Sequence, residues 1–191
     1  MGLLTEFIKA ARSIISVGKT MNGDGRSKIR NCVLRLSSDL GRAVALIVNY
    51  LEGAKSISIE QGKVDYLRNA RAELLDTCDK FHICGSLYEL CDEFNQLFNP
   101  VRATVAAGKM SQIENFLGAL QCRETSIIND IDDVFDRLDG LSYEFSVADN
   151  RGEEAEKLQR ELIKFVDDKV KYLKEKRDEI ENLSEQIIKE M

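Results

Sequence analysis

The sequence has 191 residues, of which 43% are hydrophobic and 31% are charged, enough for one domain that buries a core without disulfides or metals. One proline and 12 glycines leave little material for turn-rich β-structure or extended disorder. A single histidine, no tryptophan and no glycine-rich loop argue against the commonest catalytic and cofactor-binding arrangements. We therefore expect an ordered all-α protein without a cofactor.

The net charge of −6 is distributed unevenly along the chain. Residues 1–55 carry nine Lys or Arg against four Asp or Glu, whereas residues 56–149 carry eight against 17 and residues 150–191 carry ten against 12. A basic N-terminal segment on an acidic body attracts an anionic surface or docks on the chain's own acidic middle. Both interpretations stay open.

The five cysteines are an odd number without regular spacing, which is typical of reduced thiols rather than a disulfide framework. Glu6, Lys9 and Arg12 interrupt any signal-peptide core, and the longest apolar run, residues 43–48, is far too short to span a membrane. We expect a cytoplasmic protein, with peripheral membrane contact left open.

Residues 1–21 contain the first predicted element, an amphipathic helix. Its polar side carries Glu6, Lys9, Arg12, Ser13, Ser16 and Lys19. Its apolar side either packs on a core or lies in a membrane interface, with basic residues at the lipid headgroups. The candidate membrane or partner residues on this helix are Leu4, Phe7, Ile8, Lys9, Arg12, Ile14, Ile15 and Lys19.

A turn is predicted at residues 22–25, where both glycines can adopt positive φ and Asp24 can cap the next helix. The second helix is predicted over residues 26–52 and should be the most buried of the chain. Its heptad-like apolar seam comprises Ile29, Val33, Leu36, Leu40, Val44, Ile47 and Leu51.

Two capping-box pairs predict the next helices. Ser58 with Gln61 opens a helix that ends near residue 81, and Ser86 with Glu89 opens another after Gly85. Beyond these, Pro100 either kinks the fourth helix or restarts it with Asn99 as its cap, and Gly108 ends it.

Ser111 with Glu114 predicts a further helix, which runs without a breaker to Gly140 and is followed by a hinge-like segment over residues 141–153. The last helix is predicted over residues 153–190. Its apolar seam thins after Leu173, so its final turns are expected to project from the bundle or to accept a partner helix. The partner-helix candidates are Leu173, Arg177, Ile180 and Ile187.

Three sequence patterns suggest a binding site for phosphate or metal, and each has a simpler interpretation. Residues 18–20 read Gly-Lys-Thr, but a phosphate-binding loop requires glycine at position 13, which is Ser13, and a preceding strand, which the sequence does not predict. The soft ligands Cys78, His82, Cys84 and Cys91 match no zinc module, so core thiols are favoured. The acidic residues of segment 130–139 are typical of a solvated or cation-paired helix face, where Asp132, Asp136 and Asp139 share one side.

The basic residues of the second helix do not favour nucleic-acid binding, because the chain as a whole is acidic and no aromatic residues interleave them. They comprise Arg26, Lys28, Arg30, Arg35 and Arg42.

Together these elements predict one all-α domain over residues 1–191, an elongated antiparallel bundle of five or six helices with a long C-terminal helix. Residues 1–21 form the amphipathic N-terminal helix, residues 26–140 the bundle body and residues 153–190 the long charged helix. The layout resembles HeLo and related cell-death bundles in helix order and length, a resemblance that implies membrane permeabilisation.

The leading functional hypothesis is a non-enzymatic module that binds other proteins, or a second copy of itself through its C-terminal helix. The alternative is a membrane-active bundle that uses residues 1–21 on anionic lipid. The least favoured is a metal-dependent enzyme using Cys78, His82 and Asp side chains. No small-molecule substrate is indicated.

Overall fold

A computed structural model describes residues 3–55, 65, 67–80, 82–121, 131–147 and 152–191. All regular structure in these ranges is helical, which confirms the all-α class. The elements are α1 (Leu3–Thr20), α2 (Gly23–Ala54), α3 (Ala70–Lys80), α4 (Ile83–Phe98), a 3₁₀ segment (Asn99–Thr104), α5 (Ala107–Gln121), α6 (Asp132–Val147) and α7 (Glu153–Glu190).

Four helices form a closed antiparallel ring in the order α1, α2, α4 and α5. Ser13 of α1 donates to Gln112 of α5 at 2.6 Å, and Arg35 of α2 donates to Glu93 of α4 at 2.7 Å. The long helix α7 packs along α2 in the opposite direction and also contacts α1. The helices α3 and α6 extend the bundle at the end where α7 begins, so the molecule is elongated.

An aromatic cluster ties the ring together at its centre. Phe7 of α1 and Phe94 of α4 each lie 5.7 Å from Phe116 of α5, measured between ring centroids. Phe94 also stacks on Phe98, with centroids 5.8 Å apart. These rings belong to one continuous hydrophobic core that includes every seam residue predicted for α2.

The first helix is buried on more sides than its amphipathic pattern predicts. Glu6 and Ser13, expected to face solvent, are buried because α5 packs against that side. Glu6 pairs with Lys9 at 3.3 Å and Ser13 bonds to Gln112, so neither polar group is left unpaired. Eleven of the 18 residues of α1 are buried, compared with 11 of 32 in α2. The expectation that α2 is the most buried helix is therefore wrong.

The residue that caps the start of α2 differs from the predicted one. Asn22, rather than Asp24, is the N-cap, since its side chain accepts a hydrogen bond from the Gly25 amide at 2.8 Å. Asp24 lies in the first turn and pairs with Lys28 at 3.0 Å. None of the glycines in the described ranges has a positive φ, so the predicted left-handed turn does not form.

The start of α4 also differs from the prediction. His82 adopts the left-handed conformation, with φ 55°, and α4 begins directly after it at Ile83. Gly85 therefore lies inside α4 instead of ending a helix. The Ser86 hydroxyl donates to Asp39 at 2.5 Å and does not cap the helix.

Pro100 lies in the 3₁₀ segment that follows α4, so a new helical segment begins at this point, as one of the two predicted alternatives states. Its N-cap is Phe98 and not Asn99. α5 then begins at Ala107. Gly108 and Ser111 are consequently interior to α5, and neither ends nor opens a helix.

The hinge predicted over residues 141–153 is wrong in its first half. α6 continues through Gly140 to Val147, because Leu141, Ser142 and Phe145 extend its buried side. The predicted span of α7 is confirmed at Glu153–Glu190.

The last turns of α7 do not project from the bundle. Ile180 and Ile187 are fully buried, and Ser184 donates to Ser37 of α2 at 2.7 Å. Met191 packs against the core and touches the surface above Gly18, inside α1.

Four predictions fall wholly or partly outside the described residues. They are the Ser58–Gln61 capping box, the continuation of the fifth predicted helix through residues 122–130 with Asp130, the part of the predicted hinge at residues 148–151, and the side chain of Cys84.

Candidate functional site

The predicted N-terminal site is divided by the fold. Its apolar members Leu4, Phe7, Ile14 and Ile15 are buried in the core, and Ile8 is half-buried. Its basic members are exposed: Lys9 pairs with Glu6, and Lys19 pairs with Glu190 at 2.7 Å. The Lys19 ammonium lowers the pKa of Glu190 below its usual value. The face proposed to enter lipid is thus occupied by protein contacts.

The predicted C-terminal site is divided in the same way. Leu173, Ile180 and Ile187 are fully buried, which leaves them no accessible surface for a partner helix. Arg177 is partly exposed and lies 3.5 Å from carboxylates of both Asp178 and Glu181. The seam that was predicted to wait for another chain is filled by α1 and α2 of this one.

The structure brings parts of both predicted sites together in a groove. α1 and the end of α7 run in the same direction there, and α5 forms the third wall. The groove has a volume of about 490 Å³, with Ile8 and Leu183 as its apolar lining. Its polar lining comprises Lys9, Arg12, Gln112, Glu179, Asn182 and Gln186.

A second groove, of about 530 Å³, lies between α2 and α4. There the Cys32 thiol donates to Glu93 at 3.0 Å while Arg35 pairs with the other oxygen of that carboxylate. Burial and the Glu93 carboxylate raise the pKa of Cys32 to about 12. The thiol is therefore protonated at neutral pH and is a poor nucleophile.

The predicted soft-ligand group is not assembled among the residues that can be described. Cys78 and Cys91 are buried, and burial raises the pKa of both thiols, whereas His82 is exposed. Within the described ranges, no three His, Cys, Asp or Glu side chains lie close enough together to hold a metal ion.

The outer side of α6 carries two highly exposed apolar side chains. Tyr143 and Val147 lie one turn apart and are 70% and 66% exposed, more than any other large apolar side chain that the structure describes. Gly140 and Asp136 continue the same stripe at helical spacing, with Asp139 beside them. We call these five residues the α6 face.

Ion pairs border the α6 face on both sides. Toward α7, Asp133 pairs with Lys169, and Arg137 pairs with Glu144 at 3.1 Å and Glu161 at 3.3 Å. Toward α3, Arg71 pairs with Asp132 at 2.7 Å and lies over the Phe135 ring.

Sequence reasoning placed Asp132, Asp136 and Asp139 on one helix side, but it missed the apolar half of the face because Gly140 was taken as the end of the helix. The signal was available. Leu138, Leu141 and Phe145 follow one another at steps of three and four residues, which continues the buried side of the helix past Gly140.

Comparison of the chain with protein-family models, curated proteins and solved structures found no match. In the part of the chain that the structure describes, no helix is both long and apolar enough to cross a membrane.

Proposed function

We propose that this protein is a non-enzymatic helical module, located in the cytoplasm, that binds another protein through the α6 face. The observation that carries the proposal is the exposure of Tyr143 and Val147 on one side of an ordered helix. The opposite side of that helix, with Phe135, Leu138 and Phe145, is buried. The helix is thus anchored on one side and presents apolar surface on the other.

Exposed apolar residues are common when they occur singly, but an adjacent aromatic and aliphatic pair is typical of interaction sites. Tyrosine is enriched at the energetic centres of interfaces, where its ring supplies contact area and its hydroxyl a hydrogen bond. Complete burial of a valine side chain contributes about 1.5–3 kcal/mol, and a tyrosine contributes on a similar scale. Burial of Tyr143 and Val147 by a partner therefore supplies part of the binding free energy of about 8 kcal/mol that a micromolar Kd requires.

The α6 face lies on a helix whose opposite side is packed. Phe135, Leu138 and Phe145 are buried in the core, and exposed ion pairs of Arg137 and Arg71 join α6 to α7 and α3. A helix that is already folded loses less entropy on association than a segment that folds as it binds.

Site-specific photo-cross-linking tests the proposal in the cells that produce the protein. A benzophenone amino acid replaces Tyr143 in one variant and Ile188, an isolated side chain that is 52% exposed on α7, in the control. We expect a discrete protein adduct from position 143 and none from position 188; an adduct of twice the chain mass would identify a second copy as the partner. Equal adducts at both positions, or none at position 143, would contradict the proposal.

A further inference from the structure

We propose that the partner segment that binds the α6 face is a basic amphipathic helix of another protein, whose apolar side contacts Tyr143 and Val147 and whose cations contact Asp136 and Asp139. This inference rests on the proposed function and specifies the chemistry of the partner. Three observations support it: the charge of this end of the bundle, the distribution of its ion pairs, and the open surface above Gly140.

The end of the bundle formed by α3 and α6 is strongly acidic. These two helices contain eight Asp or Glu and three Lys or Arg, a formal charge of −5 on 27 residues. Such a patch attracts cationic segments and increases their rate of association. It disfavours an acidic partner for the same reason.

The carboxylates of this end are not equivalent. Asp132, Asp133 and Glu144, at the borders of the α6 face, are neutralised by cations of this chain. Asp136 and Asp139 are exposed and have no ion-pair partner among the described residues. The charges left for a partner are therefore those on the face itself.

Gly140 makes a shallow notch between the acidic and apolar halves of the face. Outside the backbone of α6 itself, the one group of the described residues within 4 Å of a Cβ atom added there is the Arg137 guanidinium, at 3.9 Å, so this part of the surface is open. A helix backbone or one large apolar side chain can approach closely at such a position. The flanking ring of Tyr143 then covers that side chain.

The order of these features specifies how the partner lies. Asp136 and Asp139 are at the N-terminal half of the face, and Tyr143 and Val147 are at its C-terminal half. A helix that places apolar residues at three- and four-residue spacing along this stripe meets the carboxylates with Lys or Arg at one end of its contact.

The test uses a fluorescently labelled synthetic peptide of leucine and lysine, about five helical turns long, with its leucines on one side. Its binding to the full chain is measured by anisotropy at low and moderate salt. A peptide in which glutamate replaces every lysine controls for charge, and a scrambled leucine–lysine peptide controls for amphipathicity.

Three variants probe the face: Asp136→Asn with Asp139→Asn, Tyr143→Ser, and Gly140→Gln. The matched control is Asp92→Asn with Glu175→Gln, which removes two exposed carboxylates elsewhere. We expect each face variant to weaken peptide binding by about fivefold or more at low salt and the control to change it by less than about twofold. The carboxylate effect should shrink as salt screens the charges.

Gly140→Gln separates binding from folding. Glutamine is a better helix former than glycine, so this variant should unfold at the same or a higher denaturant concentration while its larger side chain blocks the notch. Weaker binding by a variant that is at least as stable would be a contact effect.

Equal binding by the face variants and the control, equal binding of the glutamate or scrambled peptide, or no binding at all would overturn the partner assignment. Any of these results together with a specific cross-link at position 143 would leave the proposed function standing. If the peptide test fails in one of these ways and no specific cross-link forms at position 143, the proposed function is overturned as well.

Discussion

The network of Cys32, Arg35 and Glu93 shows how single residues connect α2 to α4. The hydrogen bond from Cys32 and the pairing with Arg35 lower the pKa of Glu93 below its ordinary value of 4.5. A carboxylate with a lowered pKa in the folded state stabilises the fold above its unfolded pKa, and this stabilisation is lost as the pH falls through the lowered value. Because 42% of the Glu93 side chain is exposed, the solvent screens much of the interaction.

Glu93→Gln should therefore lower the free energy of unfolding by about 0.5–1 kcal/mol at pH 7, since it removes the charge but keeps an acceptor for the thiol. The difference from the unsubstituted protein should shrink as the pH falls through the lowered pKa of Glu93, because protonation removes the charge in the folded state as well. Urea denaturation of both proteins across this pH range measures it. Asp92→Asn, at an exposed neighbouring position, serves as the control, and a difference that persists unchanged at low pH would contradict the argument.

At the scale of helices, the apolar seams were predictable and several ends were not. The seam of α2 and the full span of α7 follow from three- and four-residue spacing, because burial of that many side chains determines which side faces the core. Gly85, Gly108 and Gly140 were each interpreted as breakers, yet all three lie inside helices. An interior glycine costs only about 1 kcal/mol, less than one well-buried side chain contributes, so packing decides the boundary.

The final turns of α7 provide a direct test of docking because Ile187 and Ile188 are adjacent and differ in burial. Ile187 is fully buried and Ile188 is 52% exposed. Ile187→Ala should reduce the free energy of unfolding by about 2–4 kcal/mol, whereas Ile188→Ala should change it by less than about 0.5 kcal/mol. Equal effects, measured by chemical denaturation, would mean that this end of α7 is not packed on α1 and α2.

The aromatic cluster allows a similar comparison between a core ring and the ring of the α6 face. Phe116 touches both Phe7 and Phe94, so Phe116→Ala should cost about 3–5 kcal/mol of stability. Tyr143→Ala should alter stability by less than about 0.5 kcal/mol, because its ring is 70% exposed. A large loss of stability from Tyr143→Ala would show that its ring supports the fold rather than a binding surface.

At the scale of the whole molecule, the sequence left the position of α1 open because packing on a core and insertion into a membrane interface demand the same apolar stripe. The fold resolves this position through neighbours that the stripe does not reveal. With α2, α5 and α7 around it, α1 buries Glu6 and Ser13 in addition to its apolar side. Ser13 bonds to Gln112 of α5, 99 residues along the chain, so no local pattern could identify that partner.

This burial makes membrane engagement by α1 energetically costly. Removing Leu4, Phe7, Ile14 and Ile15 from the core exposes four large side chains, at a cost on the order of 10 kcal/mol, comparable with the entire stability of a typical domain. The exposed cations Lys9, Arg12 and Lys19 alone offer a lipid surface only a weak, salt-screened attraction, and two of them are already paired within the chain.

We therefore expect the folded protein to remain with the unbound fraction when it is floated with either neutral or anionic liposomes at moderate salt. Phe7→Ala weakens the packing of α1 on the core. Lipid binding by this destabilised variant alone would show that packing on the core keeps α1 away from the membrane. Arg12→Ser with Lys19→Ser removes two exposed cations, leaves the buried Glu6 paired with Lys9, and controls for charge. Salt-sensitive flotation of the unsubstituted protein with anionic vesicles, abolished in that control, would instead show that α1 reaches the membrane despite the contacts that enclose it.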